Sequence, residues 1–183
     1  MNKLYLMANN GKINDKAPVI ARQEIVIDAP IDKVWDILVD IGEWPEWYTG
    51  AAIRRRPKKL EANRCFYWKH DGVWIKSRLV KVEKPNILTW VGRVSWLKSI
   101  QVWQFQAMGP KKTKVKVDES LDGAWISRFT TSEKQNKKLN LWLNLLKIRV
   151  EKKYPNPQPP RTPRVRQTAP RYLHNVLRGI NQI

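Results

Sequence analysis

The stretch IDAPIDKVWDILVDIGEWPEW, residues 27–47, decides the fold, because two periods of hydrophobic residues meet inside it. Residues 23–28 alternate, with Ile25 and Ile27 on one face and Val26 on the other, which predicts a short strand. Pro30 suits a first helical turn, and Val34, Trp35, Leu38 and Ile41 then recur as one buried stripe, so a helix follows directly and ends at Gly42. The next six residues, Glu43-Trp44-Pro45-Glu46-Trp47-Tyr48, are too short and too aromatic for an independent helix. They predict one helical turn packed on a sheet, with Trp44 and Trp47 as struts.

Working outward, the period changes to two. Strands are predicted at 52–57, 64–70, 73–83, 87–92, 99–108 and 112–120, separated by turn signals at Asp71-Gly72, Lys84-Pro85-Asn86 and Gly109-Pro110. After Asp122-Gly123 a helical period returns, and a helix is predicted over 129–152. It is apolar on more than one face, so cover on several sides is expected, as for a helix lying across a curved sheet. The order describes an α+β helix-grip fold: a curved antiparallel sheet wrapped around a long C-terminal helix, with two short helices after the first strand.

The chain has 183 residues, 35 of them Lys or Arg and 16 Asp or Glu, for a net charge of +19 and a pI near 10.3. This length is normal for one domain with tails, and 42% hydrophobic residues exclude general disorder. Residues 1–22 form an N-terminal extension with Lys3, Lys12, Lys16 and Arg22 against Asp15. Residues 153–183 form a basic tail, Pro-rich over 155–170, with six bases and no acid. Near 171–180, Tyr172, Leu173, Val176, Leu177 and Ile180 recur at the spacing of a short amphipathic helix. About half of the excess charge therefore lies outside the domain at 23–152.

No run of apolar residues is long enough for a transmembrane helix, and the N-terminus lacks a secretory core, so cytoplasmic residence is expected, with the basic tails allowing peripheral contact with anionic membrane. Cys65 is the single cysteine, which excludes an internal disulfide, and with His70 and His174 it makes no zinc spacing. No metal or other cofactor is expected. Ten tryptophans exceed ordinary core needs and point to wide apolar walls.

Segments 27–47, GVWIKSRLVKVEKPNILTWVGR (72–93), VWQF (102–105) and TKVKVDESLDG (113–123) together resemble the START-like superfamily (SRPBCC), particularly its polyketide cyclase/dehydrase and lipid-transport branch. The most specific parts are A-P-x-x-x-V-W with D-x-x-x-W-P-x-W, E-x-P-x-x-L-x-W, and T-x-V-x-x-x-E-S-x-x-G. The resemblance covers roughly 23–152. It implies a cavity between sheet and C-terminal helix for lipids, quinones, polyketides or other apolar molecules, and it implies a container more firmly than a reaction.

Alternation then nominates the inward residues. Val115, Val117 and Glu119 share a face, so Glu119 points into an apolar interior, where its pKa should rise and suit acid or base work. The competing reading makes it the structural partner of a base such as Arg78, or a strand-end residue reaching solvent. Gln101 shares a face with Trp103 and Phe105 and is placed to orient a ligand carbonyl; Ser77 lies between Ile75 and Leu79 as a cavity hydroxyl without an activating partner. Trp35, Trp68, Trp90, Trp103 and Trp142 are the expected cavity wall, against core packing as the plainer alternative for each. His70, beside a turn, is expected to face solvent, and the cations Arg54, Arg55, Arg56, Lys58 and Lys59 to shield a sheet edge or, equally, to form an anion-attracting patch. The expected function is binding or transport of a hydrophobic small molecule. The alternative is an enzyme, a cyclase, dehydratase or hydrolase, using Glu119. A minor alternative is nonspecific nucleic-acid or partner binding through the basic tails.

Overall fold

The computed structural model describes residues 3–70 and 72–155. Helix α1 (Lys3–Asn9) precedes strand β1 (Val19–Ile27), and α2 (Ile31–Val39), a 3-10 turn at Ile41–Glu43 and α3 (Trp44–Trp47) follow. Six strands come next: β2 (Ala52–Arg55), β3 (Cys65–His70), β4 (Val73–Glu83), β5 (Ile87–Arg93), β6 (Leu97–Ala107) and β7 (Thr113–Gly123). The described chain ends with α4 (Ile126–Phe129) and α5 (Ser132–Lys153). The amphipathic segment near 171–180 lies outside the described residues.

All seven strands join one antiparallel sheet in the order β1-β7-β6-β5-β4-β3-β2. It is curved, and α5 lies against its inner face in the helix-grip arrangement. The inner face is built by alternation: Phe66 and Trp68 on β3, Leu79 on β4, Trp90 on β5, Trp103 and Phe105 on β6, and Val115 and Val117 on β7 join α2, α3 and α5 in one core. Burying each such side chain contributes roughly 1.5–3 kcal/mol. Thr131 caps α5, its hydroxyl accepting from the Lys134 backbone N–H at 3.2 Å.

Three local expectations differ from the structure. β1 begins at Val19, before the alternation becomes visible at Gln23, because Val19 and Ala21 are buried on one face while Ile20 packs on the other. α5 buries one face only, through Gln135, Leu139, Trp142, Leu143, Leu146 and Val150. Leu141 and Ile148 stand 55% and 61% exposed, so its far side has no cover among the described residues. Residues 1–22 supply an element that alternation did not reveal. Ala8 of α1 and Ile13 pack with Val80, Val91, Ile100 and Val102, covering part of the sheet's outer face.

That outer layer makes a stability prediction. Ile13 is 5% exposed, so Ile13→Ala should cost about 2–4 kcal/mol in urea denaturation. Leu6→Ala, at a position 41% exposed, should cost less than about 0.5 kcal/mol.

Candidate functional site

The inner face divides into a filled half and an open half. In the filled half Trp44 meets Trp68, Trp142 and Phe66 edge-on at centroid distances of 5.1, 5.4 and 5.8 Å. Trp142 stacks flat on Tyr48 at 4.8 Å and touches Trp103 edge-on at 5.0 Å. Such pairs add about 0.5–1.5 kcal/mol each beyond area burial. The Trp44 indole N–H donates to the Leu38 carbonyl at 2.8 Å, which ties the helical turn to the end of α2.

The open half is a cavity of about 250 Å³. Trp68, Ser77, Trp90 and Gln101 line it together with Glu119, which gathers four of the seven expected binding residues around the expected acid. Trp35, Trp103 and Trp142 do not line it. Trp35 packs edge-on against Phe105 at 5.3 Å, and Trp103 and Trp142 are closed into the aromatic core behind Trp90. These three follow the core-packing alternative, because the ring cluster fills the space that they would otherwise border.

Strand register explains the floor. Gln101 and Glu119 are direct partners on β6 and β7, and Ser77, Gly92 and Ser99 are partners across β4, β5 and β6. A Cβ on Gly92 would come within 2.4 Å of Ser99 Oγ and 3.2 Å of Ile75 Cγ2, so Ser99 and Ile75, which also line the cavity, already take the space that a side chain there would need. Trp68 Nε1 donates to Ser77 Oγ at 3.0 Å, which fixes the indole flat against the wall.

Glu119 is 6% exposed. Gln135 Nε2 donates to its Oε2 at 2.5 Å, and Gln101, whose Oε1 accepts from Trp103 Nε1 at 3.1 Å, also hydrogen-bonds the carboxyl. Burial pushes the Glu119 carboxyl up to about 7, against the smaller opposing pull of Gln135, Gln101 and the Lys138 charge. Arg78 is not its partner. Arg78 lies on the outer face, exposed and beside Tyr5 and Cys65, so the ion-pair reading fails on alternation alone.

Several lining residues escape a reading of the sequence. His70 is half-buried instead of facing solvent; its Nδ1 lies 2.8 Å from the Tyr48 hydroxyl, and its ring borders the cavity. Gln135 was legible in principle, as the polar member of the stripe continued by Leu139, Trp142 and Leu146. Thr130 also lines the cavity, and its buried hydroxyl has no hydrogen-bond partner among the described residues, leaving a polar group for a ligand to satisfy. At the mouth Trp96 and Phe129, 43% and 67% exposed, meet at 5.2 Å beside exposed Val73. Among the described residues no three His, Cys, Asp or Glu side chains converge as a metal site, and no helix is long and apolar enough to cross a membrane.

A helix-grip fold closing over an amphipathic cavity is the architecture of the START/SRPBCC class. The chain belongs to the polyketide cyclase/dehydrase and lipid transport family, whose model matches residues 18–139. A START superfamily protein from Mycobacterium smegmatis superposes with a TM-score of 0.59 at 14% identity, over 73% of this chain and 97% of that one. A hypothetical protein from Helicobacter pylori gives 0.65 at 16% identity, over 74% and 90%. The Zhui aromatase/cyclase from Streptomyces sp. R1128 gives 0.53 at 11% identity, over 73% and 86%. No curated protein matches the sequence.

The raised carboxyl carries a signed pH prediction. The unfolded group titrates near 4.5 and the folded one near 7, so between these values the folded protein holds the extra proton. Its contribution is fully present below pH 4.5 and is lost as pH rises through 7, by about 3 kcal/mol in total. Urea melts of wild type and Glu119→Gln at pH 4.5 and 8 should show the variant gaining about that much relative to wild type.

Proposed function

We propose that the protein binds a compact, ring-containing apolar molecule with one polar group, and that the polar group meets Glu119. The observation that carries this reading is a buried carboxyl, titrating near 7, at the floor of a cavity walled by Trp68 and Trp90. The indoles offer flat apolar contact, and Glu119, Gln101 and the Thr130 hydroxyl offer orientation. About 250 Å³ is small beside the roughly 300–1,000 Å³ of pockets for drug-sized ligands. The size supports one or two rings, as in a quinone or a short polyketide-like compound, over a two-chain lipid. Exposed Trp96 and Phe129 at the mouth, together with the basic charge, support uptake at an anionic membrane surface.

A second reading, general acid–base catalysis on the ligand, is favoured by the same carboxyl. Near neutral pH both of its protonation states are populated, so it can give a proton to a carbonyl oxygen and take one back from a neighbouring carbon or hydroxyl.

Quenching of tryptophan fluorescence by naphthoquinone and naphthol, checked by native mass spectrometry, tests both. Saturable binding is expected in the wild type. Gly92→Val should lower the affinity at least tenfold, because its side chain must push Ser99 or Ile75 into the cavity, and Glu119→Gln should keep binding while abolishing any turnover of the bound compound. Equal binding by wild type and Gly92→Val would sink the cavity assignment.

A further inference from the structure

The outer face of the sheet carries a pattern of which Arg93 alone also borders the cavity. Register places Arg55, Tyr67, Lys76, Arg93 and Lys98 side by side on β2, β3, β4, β5 and β6, with Asp122 of β7 closing the row beyond Lys98. Successive strands lie about 4.8 Å apart, so the five positions span about 19 Å. Arg55, Lys76, Arg93 and Lys98 are all exposed, and none forms an ion pair among the described residues.

Edge protection accounts for cations on β2, which ends the sheet. It does not account for Lys76, Arg93 and Lys98, because β4, β5 and β6 have neighbours on both sides. Lining up like charges without acids between them costs self-repulsion, which a bound polyanion would relieve.

Four of the five positions border a groove made of two concavities that meet at Lys76. One of about 770 Å³, lined by Arg55, Tyr67 and Lys76, faces the loop between β2 and β3, and one of about 300 Å³, lined by Lys76 and Arg93, faces Tyr5 of α1. The loop adds Lys58, Lys59 and Arg64, and its one acid, Glu61, is paired with Arg64 at 3.2 Å. Aromatic rings alternate with the cations: Lys76 Nζ lies 5.7 Å from the Tyr67 ring, and the Arg78 guanidinium 5.5 Å from the Tyr5 ring. One row along, Trp74 stands 44% exposed opposite Lys69.

We propose that this groove binds a single-stranded nucleic acid, with the cation row following the phosphates and Tyr67 and Trp74 offering faces to the bases. Cations interleaved with flat rings are the chemistry that single strands use. A flat bilayer cannot press charges against the floor of a concave groove, which disfavours an anionic membrane as its occupant.

The test uses the full chain, fluorescence anisotropy of a mixed-sequence 12-nucleotide RNA and DNA, and a salt titration. Binding is expected with a slope of log affinity against log salt near −3, from about four phosphates neutralised. Arg55→Glu/Lys76→Glu should weaken it at least 30-fold at 100 mM salt, and Arg55→Gln/Lys76→Gln should lower the slope magnitude by about 1.4. Tyr67→Leu should cost about tenfold with an unchanged slope. Thermal melts and naphthoquinone binding should stay at wild-type values in all three variants, which separates this site from the cavity. The proposal is overturned if the row variants bind the oligonucleotide as wild type does, which would assign binding to the basic tail. It is overturned equally if anionic vesicles or dextran sulfate bind in a row-dependent manner while the oligonucleotide does not.

Discussion

The edge-on contact between Trp44 and Trp142, with ring centroids 5.4 Å apart, joins three parts of the molecule that the chain keeps far apart. Trp44 comes from the helical turn after α2, Trp142 from the middle of α5, and both rest on Trp90 of the sheet. This junction sets how far α5 can settle toward the sheet. The indoles fill one half of the grip, and the open cavity lies toward the β5–β6 turn and α4. A cavity placed there has the Gln101–Glu119 pair as its floor and an exposed aromatic mouth.

The same packing explains the electrostatics of the floor. With large rings on one side and α5 above, water reaches Glu119 poorly, and desolvation outweighs the two amide hydrogen bonds that favour its charge. The network from Trp103 through Gln101 to Glu119 and Gln135 keeps the carboxyl oriented whichever way it titrates. A buried acid whose desolvation outweighs the pull of both amides and of the Lys138 charge is a costly feature for a structural role alone.

The period of two was the most legible signal in the sequence. It placed Gln101, Trp103, Val117 and Glu119 on the inner face; that Gln101 lies opposite Glu119 and Trp103 opposite Val117 comes from the register, which alternation does not supply. What alternation cannot give is depth. Trp90 and Trp103 share a face and a chemistry, yet one borders the cavity and the other is sealed behind it, because that depends on where Trp44 and Trp142 arrive from distant elements. His70 failed for a related reason: a residue beside a turn is ordinarily exposed, but Tyr48 reaches across to its ring from the helical turn. α1 was missed because it is seven residues long and has one fully buried side chain, too little for a periodic signal. On α5 the error ran the other way, since Leu141 and Ile148 look like core residues in sequence and are exposed.

Gly92 bears on how this cavity persists over evolutionary time. Its backbone is not in the left-handed region, unlike Gly11, Gly50, Gly72 and Gly109, so the chain's path does not require glycine there. Glycine inside a regular element is less stable than alanine by about 0.5–1 kcal/mol. What requires it is proximity: a Cβ here would meet Ser99 Oγ at 2.4 Å, so any larger residue must push Ser99 or Ile75 aside, and both line the cavity. Position 92 thus couples the local stability of β5 to the outline of the guest space, since a residue that relieves the glycine cost also reshapes the wall.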